Sequence, residues 1–266
     1  MKNSILRFHQ KKILNNGFTI IKNVITRKEC SDLKVKAIRI FKKLSKHYKI
    51  KNPIEETVYN LHNKDFIFLK YLDHKKIFPL IKSVLAEGSY NNNDFIILRQ
   101  SAIRNPKFGS EQQLHNDSRI AGVKQPLILQ AIWLLDDFNK NNGPTRIIPG
   151  SHKTKTFPKN KKKYFNEKLL TGEKGSVIIF DAATWHGSAK KISMEDRWGM
   201  IFSYSRWFLK PSFDYNLNTP KKYFKKMTHN QKELLGFRFN PPKDEFGEIS
   251  SRSKKFIKPK LYSLPR

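Results

Sequence analysis

The chain sets 53 lysines and arginines against 22 aspartates and glutamates over 266 residues, a net charge of +31, so its field attracts anions of any kind. The single cysteine, Cys30, excludes an intramolecular disulfide, and no apolar run reaches the length of a membrane span. The N-terminal stretch Met1–Arg7 turns polar too soon for a signal peptide, and the chain reads as a soluble cytoplasmic protein. Aromatic residues, 12% of the total, supply volume for a sizeable core. A solvated lysine-rich surface that binds nothing accounts for the charge equally well.

Asn16-Gly17 marks a turn, and Phe18 to Val24 has the β-branched and aromatic content of a strand. Thr26 and Glu29 have the spacing of a capping box, and Leu33, Ala37, Ile40, Phe41 and Leu44 recur at helical spacing, which predicts a helix to about Leu44. A second helical stretch runs through Ile77, Leu80, Ile81, Val84 and Leu85, with a loop over 88–94.

Beyond residue 94 the pattern changes to short strands. Phe95 to Gln100 is the first; Leu127 to Leu135 is an apolar run of the kind buried on both faces. Asn141 to Pro144 turns into a short strand, Thr145 to Ile148, closed by Pro149-Gly150. Ser176 to Asp181 and Trp198 to Leu209 complete the set. Helices followed by strands with tight turns predict an α+β fold, mainly β in its core, of barrel or jelly-roll type. Residues 153–174 form a basic insertion, and the polar tail after Pro241 ends in a further lysine cluster. With no internal repeat or long linker, we expect a single domain over 1–266: an N-terminal strand and helices over about 16–90, a core over about 94–210, and a basic polar extension over about 211–266.

His115 and Asp117 stand two apart, a spacing that puts both side chains on one face of an extended segment. His186 follows the strand that ends at Asp181. Two imidazoles and one carboxylate suit Fe(II) and leave three coordination positions open for a bidentate co-substrate and O2. Arg197, eleven residues after His186, returns at the start of the last strand, where its guanidinium can pair bidentately with a carboxylate; Ser188 can donate a hydroxyl to the same group. A lone His-x-Asp is weak, and the combination carries the reading.

These segments resemble the phytanoyl-CoA dioxygenase family of Fe(II)/2-oxoglutarate oxygenases. The resemblance runs through Asn16 to Val24, His115-Asn116-Asp117, Asn142-Gly143-Pro144 to Pro149-Gly150-Ser151-His152, and Gly175 to Asp181 with Trp185-His186-Gly187-Ser188. It implies a double-stranded β-helix (jelly roll, cupin-like) flanked by helices. His115, Asp117 and His186 would bind iron, and Arg197 with Ser188 would bind 2-oxoglutarate. The implied reaction consumes O2, hydroxylates a C–H bond and releases succinate and CO2. In related halogenating enzymes a small residue replaces the carboxylate, so Asp117 argues for hydroxylation, or a related oxidation, rather than halogenation.

His152 is the competing ligand candidate, which the family pattern makes structural. Trp133, Trp185 and Trp198 read as core residues, with Gln130 and Trp133 able to reach the cavity from their strand. Arg206, an odd number of residues from Arg197, would face the opposite side of that strand. Loops 104–113, 118–126 and 153–174 would shape the mouth with Arg104, Lys107, Arg119, Lys124 and the lysine cluster, which favours a small anionic metabolite as substrate. Nucleic acid is the less favoured substrate, because the aromatics fall in apolar strands and not in exposed stacking positions. A non-catalytic jelly-roll binding module is the third reading, and oligomeric state is left open.

Overall fold

The structure, a computed structural model, describes residues 2–48, 57–89, 94–160 and 162–238. The tail after Pro241, Lys161 of the lysine cluster and part of the 88–94 loop lie outside the described residues. In chain order the elements are α1 (Asn3–Asn16), β1 (Phe18–Ile21), α2 (Arg27–Tyr48), β2 (Thr57–Tyr59), α3 (Leu61–Lys64), α4 (Phe78–Leu85), β3 (Ile96–Arg104), β4 (Ile128–Leu134), β5 (Thr145–Ile147), β6 (Lys168–Leu170), β7 (Val177–Asp181), β8 (His186–Ser188), β9 (Gly199–Arg206), α5 (Tyr215–Asn218), α6 (Lys221–Phe224) and α7 (His229–Leu234).

The strands form two antiparallel sheets, one of six strands in the order β1-β7-β4-β9-β3-β2 and one of three in the order β6-β5-β8. Alternation along the strands explains how both faces of the large sheet are covered. Leu129, Ala131 and Trp133 of β4, Val177 and Ile179 of β7, and Met200, Phe202 and Tyr204 of β9 join one apolar cluster with Ile13 of α1, Leu33 and Ala37 of α2, and Leu80, Ile81 and Val84 of α4. The intervening Ile132, Leu134, Ile178 and Phe180 face the small sheet and pack with Ile147, Leu170 and Phe138. The apolar run of β4 is therefore buried at every position, as its composition predicts. The result is a jelly-roll core with helices on the outer face of its larger sheet.

The first helix was not foreseen. Only His9 and Ile13 of α1 are buried, so its sequence shows little helical periodicity. It ends at Gly17, which takes φ 88° and donates its N–H to Ile13 O at 2.8 Å. The corner is tight: a Cβ on Gly17 would lie 2.9 Å from His152 Nδ1 and collide with Thr184. The capping box of α2 is present, with Thr26 N–H donating to Glu29 Oε2 at 2.9 Å and Glu29 N–H to Thr26 Oγ1 at 3.1 Å.

Several boundaries differ from expectation. β1 stops at Ile21, because Asn23 adopts φ 54° and the Val24 and Ile25 N–H groups turn to Gly175 O. β3 runs four residues past Gln100 to Arg104. β6 lies inside the basic insertion, and β9 ends at Arg206. Within the stretch read as a basic extension, α5 and α7 bury Tyr215, Gln231 and Leu234, and Phe237 beyond them is also buried. Among the described residues, no helix is long and apolar enough to cross a membrane.

Candidate metal centre

The His-x-Asp segment is fastened to β8 and the turn before it. His115 N–H donates to His186 O at 2.8 Å, His186 N–H to His115 O at 3.0 Å, and Asp117 N–H to Ala182 O at 2.9 Å. The shared face was expected from an extended segment; only His115 makes a β-bridge, and Asp117 already begins a turn. Asn116 drives that turn, because its Oδ1 accepts from Ser118 N–H at 2.9 Å, Ser118 Oγ at 2.6 Å and Arg119 N–H at 3.2 Å.

The tautomers follow from the backbone. His115 Nδ1 lies 2.9 Å from Gln113 O, and His186 Nδ1 lies 2.8 Å from Thr184 O. A carbonyl only accepts, so Nδ1 carries the proton and Nε2 presents its lone pair. Nε2 of His115 lies 3.5 Å from Asp117 Oδ1, and Nε2 of His186 lies 3.3 Å from Asp117 Oδ2. All three donor atoms fall within 4.8 Å of one another. Metal bonds of about 2.1 Å require neighbouring donors about 3 Å apart, so this set can close on one ion with small adjustment.

Burial, followed by repulsion from His186, holds the His115 imidazole below its ordinary pKa, which keeps it neutral as ligation requires. Burial opposes ionisation of Asp117, but the His186 and His115 imidazoles and the Gln130 amide outweigh it. When no metal is bound and Nε2 carries a proton, donation from His186, the positive charge of the two histidines and the Gln130 amide hold the carboxyl well below the usual carboxylate range.

The three residues line a cavity of 280 Å³ between the sheets, together with Arg197 and Ser188. All five predicted site residues thus share one cavity. Ser188 Oγ accepts from Arg104 Nη1 at 2.7 Å, donates to Gln112 Oε1 at 3.1 Å, and its residue pairs across strands with Thr145. Arg197 sits two residues before β9, its N–H donating to Asn105 Oδ1 at 2.9 Å and its guanidinium 3.9 Å from the centre of the Phe138 ring. Arg99, Gln100, Thr57 and Tyr59 line the same space, in which Asp117 is the only carboxylate among the described residues.

Gln130 reaches the cavity and donates to Asp117 Oδ2 at 2.9 Å. Trp133 does not: three residues along β4 it faces the helices, against Tyr71 and His74. Trp198 packs edge-on against Phe41 and Trp185 against Tyr164. His152 Nε2 lies 3.1 Å from Leu14 O, a structural position. Arg206 donates to Pro126 O and Glu87 O, away from the cavity.

The expected mouth is corrected in two respects. Loops 118–126 and 153–174 do not line the cavity; Lys159, Lys162 and Lys163 border a separate cleft with Tyr164, Arg146 and Glu111. Arg104 is not a loop cation but the buried last residue of β3. Sequence reasoning named Arg104 at the mouth but placed it in a loop, and missed Gln112 and Thr145, because β3 continues past its apolar start through Ser101-Ala102-Ile103.

The chain belongs to the phytanoyl-CoA dioxygenase family, whose model, Phytanoyl-CoA dioxygenase (PhyH), matches residues 13–199. It is 25% identical over 193 residues to Dioxygenase af480 of Aspergillus fumigatus, covering 69% of this chain and 59% of that protein. It is 22% identical over 160 residues to the iron/alpha-ketoglutarate-dependent dioxygenase okaE of Penicillium ochrochloron, covering 57% of this chain and 52% of that protein. The chain spans little more than half the length of the curated relatives it matches. The crystal structure of HygX from Streptomyces hygroscopicus with nickel and 2-oxoglutarate bound shares the fold, with a TM-score of 0.64 at 16% identity over 77% of this chain and 88% of that one.

Proposed function

We propose that the protein is an Fe(II)- and 2-oxoglutarate-dependent dioxygenase that hydroxylates a C–H bond of a small anionic metabolite. The observation that carries this reading is the convergence of His115 Nε2, the Asp117 carboxylate and His186 Nε2 on one point of a cavity that Arg197 also lines.

His115, Asp117 and His186 would hold Fe(II) on one face, and their imidazole and carboxylate donors fit that ion. Bound Fe(II) supplies O2 activation coupled to the oxidative decarboxylation of 2-oxoglutarate to succinate and CO2. Arg197 and Ser188 would take the far carboxylate of 2-oxoglutarate, the guanidinium as a bidentate donor and the hydroxyl as a single one. Arg104, hydrogen-bonded to Ser188 Oγ, orients that hydroxyl and adds a second positive charge at the same end. The apolar wall of Ile132, Phe180 and Ile201 excludes water from the reacting centre. The arginines of the cavity support an anionic substrate.

The test is conversion of 2-oxoglutarate to succinate by the purified protein with Fe(II) and O2. Succinate and CO2 in equal amounts, lost in His115→Ala and His186→Ala variants that remain folded, would support the reading. No succinate from folded, iron-loaded protein, with or without a panel of anionic metabolites, would sink it.

A further inference from the structure

The strand register divides the cavity into levels. Gln100, Ser203 and Gln130 lie side by side on β3, β9 and β4, and four residues further along Arg104, Gly199 and Leu134 lie side by side. Gln130 touches Asp117, so the first level belongs to the triad, whereas Arg104 touches Ser188, so the second belongs to the Ser188 and Arg197 end. Four residues of β3 separate the two levels by about 13 Å of backbone, whereas on β8 only two residues, about 7 Å, separate His186 from Ser188.

At the triad level β3 carries an irregularity. Its pairing with β9 shifts between Leu98 and Gln100, leaving Arg99 without a partner across the strands. Leu98 before the shift packs in the helix-side core, and Ser101 after it bonds Leu61 N–H and His62, so the two flanks face outward. The extra residue lets Arg99 and Gln100, which strict alternation would place on opposite faces, both line the cavity. The bulge is pinned from outside the sheet: Ser212 N–H donates to Arg99 O at 2.8 Å, Tyr215 Oη to Arg99 O at 3.1 Å, and Ser212 Oγ to Gln100 Oε1 at 3.3 Å.

The position of Arg99 defines what it can hold. Asp117, the cavity's carboxylate, is engaged by His115, His186 and Gln130. The guanidinium of Arg99 forms no hydrogen bond or ion pair with a described residue. Arg104 and Ser188, not Arg99, stand at the end of the cavity assigned above to the far carboxylate of 2-oxoglutarate. Arg99 is therefore placed to meet a second oxyanion beside the co-substrate.

We propose that Arg99 is a specificity-determining residue that binds a carboxylate or phosphate group of the primary substrate, a small molecule oxidised a few bonds from that group. The inference rests on the oxygenase reading above. Gln100 would supply a neutral hydrogen-bonding neighbour, and the bulge would set the angle at which the anion meets the triad.

The test is calorimetric binding to full-length protein loaded with redox-silent Mn(II) and saturated with 2-oxoglutarate. Matched probes are hexanoate against hexanamide and glycerol 3-phosphate against glycerol, with wild type, Arg99→Gln and Arg99→Lys compared at equal melting temperature. The expected result is at least tenfold tighter binding of one anion than of its neutral partner. Arg99→Gln should lose that preference, Arg99→Lys should keep part of it, and 2-oxoglutarate affinity should change less than twofold. Which pair responds distinguishes a carboxylate from a phosphate substrate. No anion preference in wild type, or a preference unchanged in Arg99→Gln, overturns the assignment. An equal loss of 2-oxoglutarate affinity in Arg99→Gln also overturns it, by making Arg99 a co-substrate residue. If wild-type protein binds no 2-oxoglutarate, the oxygenase reading fails first, and the assignment with it.

Discussion

Gln130 donates its side-chain amide to Asp117 Oδ2 at 2.9 Å, on the same oxygen that faces His186 Nε2 at 3.3 Å. The donor stands on β4, paired on both sides within the large sheet and buried at every position, so the carboxylate takes its direction from a fully enclosed strand. Groups that orient a metal ligand in this way typically change affinity 10–100-fold when removed. Gln130→Ala should weaken Mn(II) binding by about that factor with little change in melting temperature. Gln130→Glu should weaken it more, because a second carboxylate would face Asp117. Equal metal affinity in wild type and Gln130→Ala would show that Asp117 is positioned by its own turn.

Gly187 stands between His186 and Ser188, where β8 presses on the segment carrying His115. A Cβ there would lie 2.7 Å from Gln112 O and 3.0 Å from Gln113 O, both backbone atoms. Gln113 O is also the carbonyl that fixes the His115 ring. Gly187→Ala should therefore push the His-x-Asp segment away from β8. Overpacking of this kind costs about 1–3 kcal/mol. Metal titration should show loss of tight binding in protein that still melts cooperatively; unchanged affinity would mean that the segment gives way without moving His115.

Arg197 lies over the Phe138 ring and lines the cavity with Ser188. Removing one member of a buried charge pair costs about 2–5 kcal/mol, so Arg197→Ala should raise the 2-oxoglutarate Kd by a factor on the order of 30 to 5,000. Arg197→Lys should fall between, because it keeps the charge but not the planar fork. Metal affinity measured without 2-oxoglutarate should barely change. A Kd for 2-oxoglutarate that is indifferent to both variants would remove Arg197 from the co-substrate site.

Asp181 is buried at the end of β7, and burial raises its carboxyl to about 6, against the opposing pull of the Ala183 N–H and His186. A carboxyl with a folded pKa above its unfolded value stabilises the fold most at low pH, below the unfolded value near 3.8. That contribution is lost as pH rises through about 6. Asp181→Asn keeps an oxygen to accept the Ala183 N–H, which lies at 2.9 Å, and cannot ionise. In urea unfolding of the metal-free protein, wild type should lose stability relative to Asp181→Asn between about pH 4 and pH 7. A difference that stays constant over that interval would contradict the buried carboxyl.

How much was legible in advance depended on whether a residue's meaning was local. His115, Asp117 and His186 could be chosen because their chemistry and spacing do not depend on the packing around them, and β4 could be placed because an unbroken apolar run has few other fates. Arg104 was read only as a loop cation, and Arg99 was not singled out, for the opposite reason. Arg104 becomes a cavity residue only because β3 pairs with β9 through to Gly199, and Arg99 only because the pairing slips beside it. Gln130 and Trp133 were grouped together, although an odd spacing on one strand puts them on opposite faces. β6 was hidden within lysine-rich sequence: two of its three residues, Lys168 and Leu169, are exposed, so little of it is selected for burial. No local pattern in α1 shows that Gly17 must fit against Thr184 and His152.

The central claim is that His115, Asp117 and His186 together hold Fe(II) with 2-oxoglutarate. It is tested most directly by anaerobic titration of the metal-free protein with Fe(II) and 2-oxoglutarate, following the weak visible charge-transfer band of the chelate, with Asp117→Ala as control. The account predicts a band that saturates at one Fe(II) per chain in wild type and is lost or weakened in the control. Absence of the band in folded wild-type protein, or an equal band in Asp117→Ala, would contradict it.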